Sequence, residues 1–142
     1  MQDKTILVAD DEMHVTYILT FKLQRSGFRV ITANDGGEAY RLACQHKPDI
    51  VITDFQMPVM NGFDMCVKLR ENPETARIPV VMLTARGHKL SPTEMSRTNI
   101  QYLIPKPFSA RELLAKIAEV LAQGGVGGVG SGYADGSEEA GA

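Results

Sequence analysis

One stretch decides the fold of this chain, and it consists of Ile50-Val51-Ile52-Thr53-Asp54-Phe55-Gln56-Met57-Pro58. Its first four residues are all β-branched and show no alternation of apolar and polar side chains, which is typical of a strand buried on both faces of a parallel sheet. An acid closes the run. Open α/β sheets bind ligands at the carboxyl ends of their strands, so Asp54 is the first candidate functional residue.

Three further β-like runs, over residues 5–9, 79–83 and 102–105, are also followed by polar side chains. In chain order, these side chains belong to Asp10, Asp11, Thr84 and Lys106. Because the carboxyl ends of parallel strands meet at one edge of a sheet, we expect all four to lie close to Asp54.

Between these runs the apolar residues recur at helical spacing, so strands and helices alternate along the chain. We expect strands over residues 5–10, 28–32, 49–54, 78–83 and 101–104. We expect helices over residues 12–26 and 35–46, near 62–72, and from residues 91 and 109 onward. The fourth helix should be short and loosely attached, since few apolar residues follow its cap. Such alternation predicts an α/β fold with a doubly wound, five-stranded parallel sheet and five helices.

The composition changes sharply after residue 123. Eight of the nineteen residues from 124 to 142 are glycine, and almost none can pack against a core. We therefore expect a single domain over residues 1–123, followed by a Gly-rich flexible tail or linker over residues 124–142. A tail without a role and a tether to a further domain remain equally open.

The charge balance argues against several classes of partner. With 15 basic and 17 acidic residues, the net charge of −2 provides no general attraction to nucleic acid or to an anionic membrane. No apolar run approaches the ~20 residues that a membrane span requires, and the N-terminus lacks the pattern of a signal peptide. Cys44 and Cys66 have no metal-ligand spacing and suit a reducing compartment, so we expect a cytoplasmic protein.

The three acids at the expected sheet edge need a cation. Asp10, Asp11 and Asp54 would each raise the pKa of the others, and Lys106 alone cannot balance three negative charges. A site of carboxylate oxygens without histidine or cysteine suits Mg²⁺, which favours sites shared with phosphate. The alternative is that the first two acids merely cap the first helix.

Beside Mg²⁺, the Asp54 carboxylate is a suitable nucleophile for a phosphoryl group. The transferred group needs its oxygens neutralised on several sides, and Lys106 and the Thr84 hydroxyl could each serve one of them. The sequence therefore predicts a site that forms an aspartyl phosphate.

These residues and their spacing resemble the receiver domain of two-component response regulators over residues 4 to about 122. The resemblance is carried by Asp10-Asp11, by Asp54 with Met57, Pro58, Met60 and Gly62, by Thr84-Ala85, and by Lys106-Pro107-Phe108. It implies a flavodoxin-like strand order of 2-1-3-4-5. It also implies that Asp54 accepts a phosphoryl group from a phosphohistidine on a histidine kinase or histidine phosphotransfer protein, with no catalysis beyond the protein's own phosphorylation and dephosphorylation.

The resemblance also implies roles for the surrounding residues. Mg²⁺ would be held by Asp11, Asp54 and the backbone carbonyl of Gln56, with Asp10 acting through water. Lys106 would pair with Asp54 before phosphorylation and with the phosphoryl oxygens afterwards, and the Lys106-Pro107 bond would be cis. Thr84, followed by Ala85, would move toward the phosphate and change the face formed by the fourth helix, fifth strand and fifth helix. The downstream effector stays unknown, and a phosphorylation-dependent homodimer is one outcome.

The sequence departs from the family in the fifth strand. The family usually couples the threonine to an aromatic residue three positions before the lysine, where this chain has Leu103, and the aromatic residue is Tyr102. A shift of one residue places a side chain on the opposite face of the sheet. Either a bulge at Pro105 restores the register, or the aromatic part of the switch is absent; we favour the second.

Three other functions fit the same fold class less well. A flavodoxin-like cofactor binder needs donors after its first strand to hold phosphate, whereas Asp10 and Asp11 repel it. Aspartyl-phosphate hydrolases carry the motif D-x-D, whereas this chain has Asp54-Phe55-Gln56, with Gln56 in place of the second acid. A degenerate receiver used as a constitutive docking module would not need the intact Asp54, Thr84 and Lys106.

Overall fold

The computed structural model describes residues 3–123, so the expected tail over residues 124–142 lies outside the described residues and stays a prediction. The strands are β1 (Thr5–Ala9), β2 (Arg29–Ala33), β3 (Ile50–Asp54), β4 (Val80–Thr84) and β5 (Ile100–Pro105). The helices are α1 (Met13–Arg25), α2 (Gly36–His46), α3 (Gly62–Glu71), α4 (Pro92–Ser96) and α5 (Ala110–Ala122). The expected alternation of five strands and five helices is confirmed.

The five strands form one parallel sheet in the order β2-β1-β3-β4-β5, which confirms the expected doubly wound topology. The strand β3 lies at the centre, and all of its five residues are buried. Its neighbours are in a register that pairs Ala9 of β1 with Thr53, and Leu83 of β4 with Asp54. The residues that follow β1 and β4 are thereby brought beside the end of β3.

Alternate side chains of the strands point into two separate cores. On one face, α1 and α5 pack through Leu19 and Ile117 against strand residues such as Ile52. On the other face, α2 and α3 pack through Ala39 and Met65, with α4 at the margin. Burial on both faces explains why the central strands are apolar throughout rather than alternating.

Local signals in the sequence set the helix starts. The Ser91 and Glu94 side chains form a reciprocal capping box at the start of α4. The Asp35 carboxylate accepts a hydrogen bond from the Glu38 amide at 2.8 Å, although the Glu38 side chain returns to the amide of Asn34. As expected, α4 is short, and none of its five residues is buried.

The strand β5 lies at the edge of the sheet and includes Pro105, as expected for a residue without an amide donor. The pairing of β4 with β5 shifts between Val80, which faces Ile100, and Val81, which faces Tyr102. The irregularity therefore precedes Tyr102, and from Tyr102 to Pro105 the pairing is regular. The alternative of a bulge at Pro105 is wrong.

Candidate functional site

The carboxyl edge of the sheet brings together the three acids that the sequence singled out. Asp10 and Asp11 follow β1, and Asp54 ends β3. Their carboxylates each offer an oxygen, and these oxygens all lie within 4.8 Å of one another. Asp10 and Asp54 are buried, whereas Asp11 is exposed. The parallel register of β1 and β3 produces this crowding, because both strands end at the same level of the sheet.

Lys106 reaches into the same cluster from the end of β5. Its Nζ lies 2.9 Å from Asp54 Oδ1 and 4.0 Å from Asp10 Oδ2. Its backbone amide donates to the carbonyl of Thr84 at 2.7 Å, and the Lys106-Pro107 peptide is cis, as the family resemblance implied. One ammonium therefore faces two buried carboxylates and pairs closely with one of them.

Burial disfavours the charged form of the Asp10 carboxyl. Its side chain is 1% exposed, and burial raises the pKa of its carboxyl, with the Asp54 charge adding to the effect. Asp10 Oδ1 accepts a hydrogen bond from the Glu12 amide at 2.9 Å. Asp10 Oδ2 is buried without a hydrogen-bond partner among residues 3–123. A buried carboxylate oxygen without a hydrogen bond costs free energy that an ammonium 4.0 Å away offsets only in part, and a bound cation would reduce that cost.

The electrostatics of Lys106 have the opposite sign. Burial by itself lowers the pKa of the lysine, but the hydrogen bond and the charge of Asp54 outweigh it, so the pKa is raised overall. The ammonium therefore stays charged at neutral pH.

A close backbone contact holds the end of β3 in place. A Cβ built on Gly62, the first residue of α3, would lie 2.2 Å from the carbonyl oxygen of Asp54. The amide of Gly62 also donates to the carbonyl of Phe55 at 2.7 Å. Only glycine fits this approach, which explains why the family motif continues to this position.

Gln56 lies next to the acids in an open cavity of about 430 Å³. The cavity is lined by Asp11, Phe55, Gln56, Met57, Pro58 and Asn61. Because Asp11 and Gln56 share this space beside Asp54, a cation held by the acids would be open to solvent and to an incoming donor.

The switch candidates fall on two faces of the sheet. Thr84 is buried at the end of β4, and Ala85 after it is exposed. Tyr102 faces α5, where its hydroxyl donates to Glu119 Oε1 at 2.9 Å and its ring lies 4.4 Å from Lys116 Nζ.

Leu103 packs instead with the α2 and α3 side of the core. Since alternation along β4 places Thr84 on the face of Met82, it shares its side with Leu103 and not with Tyr102.

Two features of the site were not anticipated from the sequence. The helix α1 exposes Met13, Tyr17 and Phe21, each more than half accessible. Their spacing of four residues was a usable signal, since it falls opposite the buried Leu19 and Leu23. The second feature is a ring contact between Phe55 and His88, whose centroids lie 4.3 Å apart. No local sequence pattern predicts this contact, because Phe55 and His88 lie on different loops.

Comparison with known proteins agrees with this geometry. Residues 6–118 match the family of response regulator receiver domains. The chain is 36% identical over 119 residues to the alkaline phosphatase synthesis transcriptional regulatory protein PhoP of Bacillus subtilis, which covers 84% of this chain and 49% of that protein. The chain thus spans about half the length of the curated relatives it matches.

Solved structures show the same fold. The chemotaxis response regulator CheY4 of Vibrio cholerae superposes with a TM-score of 0.75 at 30% identity, covering 82% of this chain and 98% of that one. The response regulator TrrA of Thermotoga maritima, solved in complex with Mg²⁺ and BeF, superposes with a TM-score of 0.72 at 29% identity and the same coverage. With its acidic cluster, its paired lysine and its parallel sheet, this chain belongs to the response regulator receiver domain family.

Proposed function

We propose that Asp54 accepts a phosphoryl group from a phosphohistidine of a histidine kinase or histidine phosphotransfer protein, in a reaction that depends on Mg²⁺. The observation that supports this proposal most directly is the pairing of Asp54 with Lys106 at 2.9 Å inside a cluster of three carboxylates. A buried nucleophile with a fixed ammonium beside it, at the open end of a rigid sheet, is the arrangement that phosphoryl transfer requires.

The donor set fits a hard divalent cation. The cluster offers only oxygen, and the buried Oδ2 of Asp10, which has no hydrogen-bond partner within residues 3–123, favours a bound positive charge. Asp11, Asp54 and the backbone carbonyl of Gln56 would hold Mg²⁺, with Asp10 acting through water. When bound, the ion neutralises charge on the acids and on a phosphoryl oxygen.

In the transfer, a carboxylate oxygen of Asp54 forms a bond to phosphorus as the phosphorus–nitrogen bond of the donor breaks. The departing imidazole nitrogen keeps the bonding electron pair and takes up a proton. Lys106 then turns from Asp54 to a phosphoryl oxygen, and the hydroxyl of Thr84 donates to another. Hydrolysis of the aspartyl phosphate by water would return the site to its starting state.

The exposed row on α1 supports a protein as the phosphoryl donor. Met13, Tyr17 and Phe21 form an apolar stripe that begins two residues after Asp11, at the same edge of the sheet as Asp54. A small-molecule donor needs no such surface, whereas a helix that carries a histidine would bury it on docking.

The output would leave through the face formed by α4, β5 and α5, to a downstream effector or a phosphorylation-dependent homodimer. In this proposal residues 1–123 form the receiver domain and residues 124–142 a tail or linker, so the chain acts alone or as part of a longer regulator.

Phosphorylation and Mg²⁺ are general features of the family, and the chain is a signalling module. Within residues 3–123, no helix combines the length and the hydropathy of a membrane span. The free thiols Cys44 and Cys66 suit the cytoplasm.

The test is phosphorylation by a small donor. The full chain is incubated with Mg²⁺ and acetyl phosphate and then weighed by mass spectrometry. We expect the mass of one added phosphoryl group, which is lost in the variant Asp54→Asn, in EDTA and after mild alkaline treatment. Asp49→Asn, at the other end of β3, is the matched control and should be phosphorylated normally.

If the unaltered chain gains no mass with acetyl phosphate or with a phosphorylated phosphotransfer protein, the proposal fails. The chain would then be a degenerate receiver that serves as a constitutive docking module. Mass gained equally by the Asp54→Asn variant would instead show that another residue is the acceptor.

A further inference from the structure

The ring contact between Phe55 and His88 joins the loop that follows Asp54 to the loop that follows Thr84. Phe55 directly follows Asp54, and His88 comes four residues after Thr84. Their ring centroids lie 4.3 Å apart, and the ring planes are tilted by 42°. Offset and tilted aromatic pairs at this separation attract each other beyond simple burial. The contact is therefore a physical link between the reacting carboxylate and the loop after β4.

The two partners differ in how firmly they are held. The amide of Phe55 donates to Leu83 at 3.0 Å, and its carbonyl accepts from Gly62 at 2.7 Å, so its backbone is fixed to the sheet and to α3. His88 belongs to an irregular loop, and its amide donates to the carbonyl of Ala85 at 3.0 Å across a turn. Of the two backbones, that of the His88 loop is therefore the freer to move.

A glycine with positive φ precedes His88 in the turn. Gly87 has a φ of +85°, a conformation that other residues adopt at a cost, and no atom of residues 3–123 beyond its two chain neighbours lies within 4 Å of the place of its missing Cβ. The hydrogen bond from His88 to Ala85 closes the turn, and the ring of His88 connects it to Phe55 in the phosphoacceptor loop.

The position of His88 also carries a cost. Its Nε2 is buried and has no hydrogen-bond partner within residues 3–123. A buried nitrogen without a partner favours any alternative position in which it meets water or an acceptor. Stacking on Phe55 therefore favours the observed position of the loop, whereas the missing hydrogen bond of Nε2 favours a different position. Two opposing contributions of this kind are expected of a loop that has two positions.

This chain lacks the aromatic residue that the resemblance led us to expect near Thr84. Leu103 occupies that place, and Tyr102 is engaged with α5 on the other face. The ring pair connects the loop after Asp54 to the loop after Thr84, and phosphorylation would move the second of these loops. We propose that His88 is a positioning residue whose stacking on Phe55 holds the loop after Thr84 in its unphosphorylated position, and that the stack is lost when Thr84 moves to the phosphoryl group.

This inference rests on the proposed function, and it makes a specific prediction about binding. A ligand that mimics the phosphoryl group selects the loop position without the stack, so its apparent affinity falls as the stack becomes stronger. His88→Ala removes the ring, whereas His88→Phe keeps a ring of similar shape. Both variants lack the unpaired nitrogen, so their difference isolates the stack.

The experiment measures the dissociation constant of fluoroberyllate, with Mg²⁺ present, for the full chain and its variants. We expect His88→Ala to bind about 2- to 10-fold more tightly than His88→Phe. His46→Ala, at an exposed histidine at the opposite end of the sheet, is the control and should match the unaltered chain. Thermal unfolding of each variant without ligand verifies that it is folded.

A purely structural role for the pair would lower the unfolding temperature of His88→Ala and leave its affinity equal to that of His88→Phe. Equal affinities, or tighter binding by His88→Phe, would overturn the inference while leaving the proposed function intact. Failure of the unaltered chain to bind fluoroberyllate would count against the proposed function itself, and the inference would fall with it.

Discussion

The two ends of β3 each present an aspartate, and the two carboxylates meet different surroundings. Asp49, just before the strand, accepts a hydrogen bond from the Thr5 amide at 2.8 Å, lies 3.9 Å from Lys4 Nζ and is 40% exposed. Asp54, at the other end, is buried beside two further acids and shares Lys106 with Asp10. At the first end each charge has a partner or water, whereas at the second the negative charges outnumber the ammonium.

The difference shows how one sheet can carry balanced charges at one edge and unbalanced charges at the other. The entry edge is arranged for stability, with charges that are paired or solvated. The exit edge holds a buried carboxylate oxygen of Asp10 that has no hydrogen-bond partner within residues 3–123 and lies 4.0 Å from the ammonium that Asp54 also uses, so a bound cation would stabilise it. The comparison therefore predicts that substitutions at the two edges have different, and partly opposite, effects.

The largest difference is expected in metal affinity. Asp10→Asn should weaken Mg²⁺ binding on the order of 10- to 100-fold, because it removes a charge that orients the bound ion's surroundings. Asp49→Asn should leave the affinity unchanged. Isothermal titration calorimetry of the full chain with MgCl₂ measures both, and equal affinities in the two variants would contradict the contrast between the edges.

A smaller difference, of opposite sign, is expected in stability without metal. In EDTA, Asp10→Asn should raise the free energy of unfolding by about 1 kcal/mol, because it replaces a buried charge that burial disfavours with a neutral side chain. Asp49→Asn should lower it by about 0.5 kcal/mol, since a charged hydrogen bond becomes a neutral one. Urea unfolding of both variants at neutral pH decides the sign, and a loss of stability in Asp10→Asn would refute the prediction.

The smallest expected effect is on the pH dependence of stability. The pKa of Asp10 is raised in the folded chain, so the folded state binds more protons than the unfolded state above the ordinary aspartate pKa of about 4. The contribution of Asp10 to stability is present below that value and is lost as the pH rises through the raised pKa.

Urea unfolding in EDTA at several pH values from 4 to 7 measures this contribution. The difference in free energy of unfolding between Asp10→Asn and the unaltered chain should grow with pH and then become constant. A difference that is the same at every pH would show that Asp10 does not titrate in this range.

Much of the fold could be predicted because the relevant signals are local. The β-branched run before Asp54 predicts a buried strand from its own composition, and Ser91 with Glu94 predicts a helix start within four residues. The site was predictable for a related reason. Parallel strands end at one edge, so the topology alone brings Asp10 and Lys106 to Asp54.

What could not be predicted depends on contacts between distant segments. Asp10 and Asp11 are adjacent acids, and their residue types do not indicate which of them is buried. In the structure Asp11 is exposed, whereas Asp10 is buried and its Oδ2 has no hydrogen-bond partner within residues 3–123. The fifth strand is a second case. The irregular pairing of β5 with β4 lies between Ile100 and Tyr102. The position of Pro105 in the sequence did not indicate this location.

The sequence by itself determined the order of the elements, the parallel sheet and the strand-end residues that meet at one edge of it, because hydrophobic period, capping and strand-end chemistry act over a few neighbouring positions. Only the tertiary structure decided which buried carboxylate oxygen lacks a hydrogen bond, on which face of the sheet Tyr102 lies and which ring His88 contacts. Those outcomes depend on burial and on distances between segments that are far apart in the chain, and neither quantity is encoded in any one stretch.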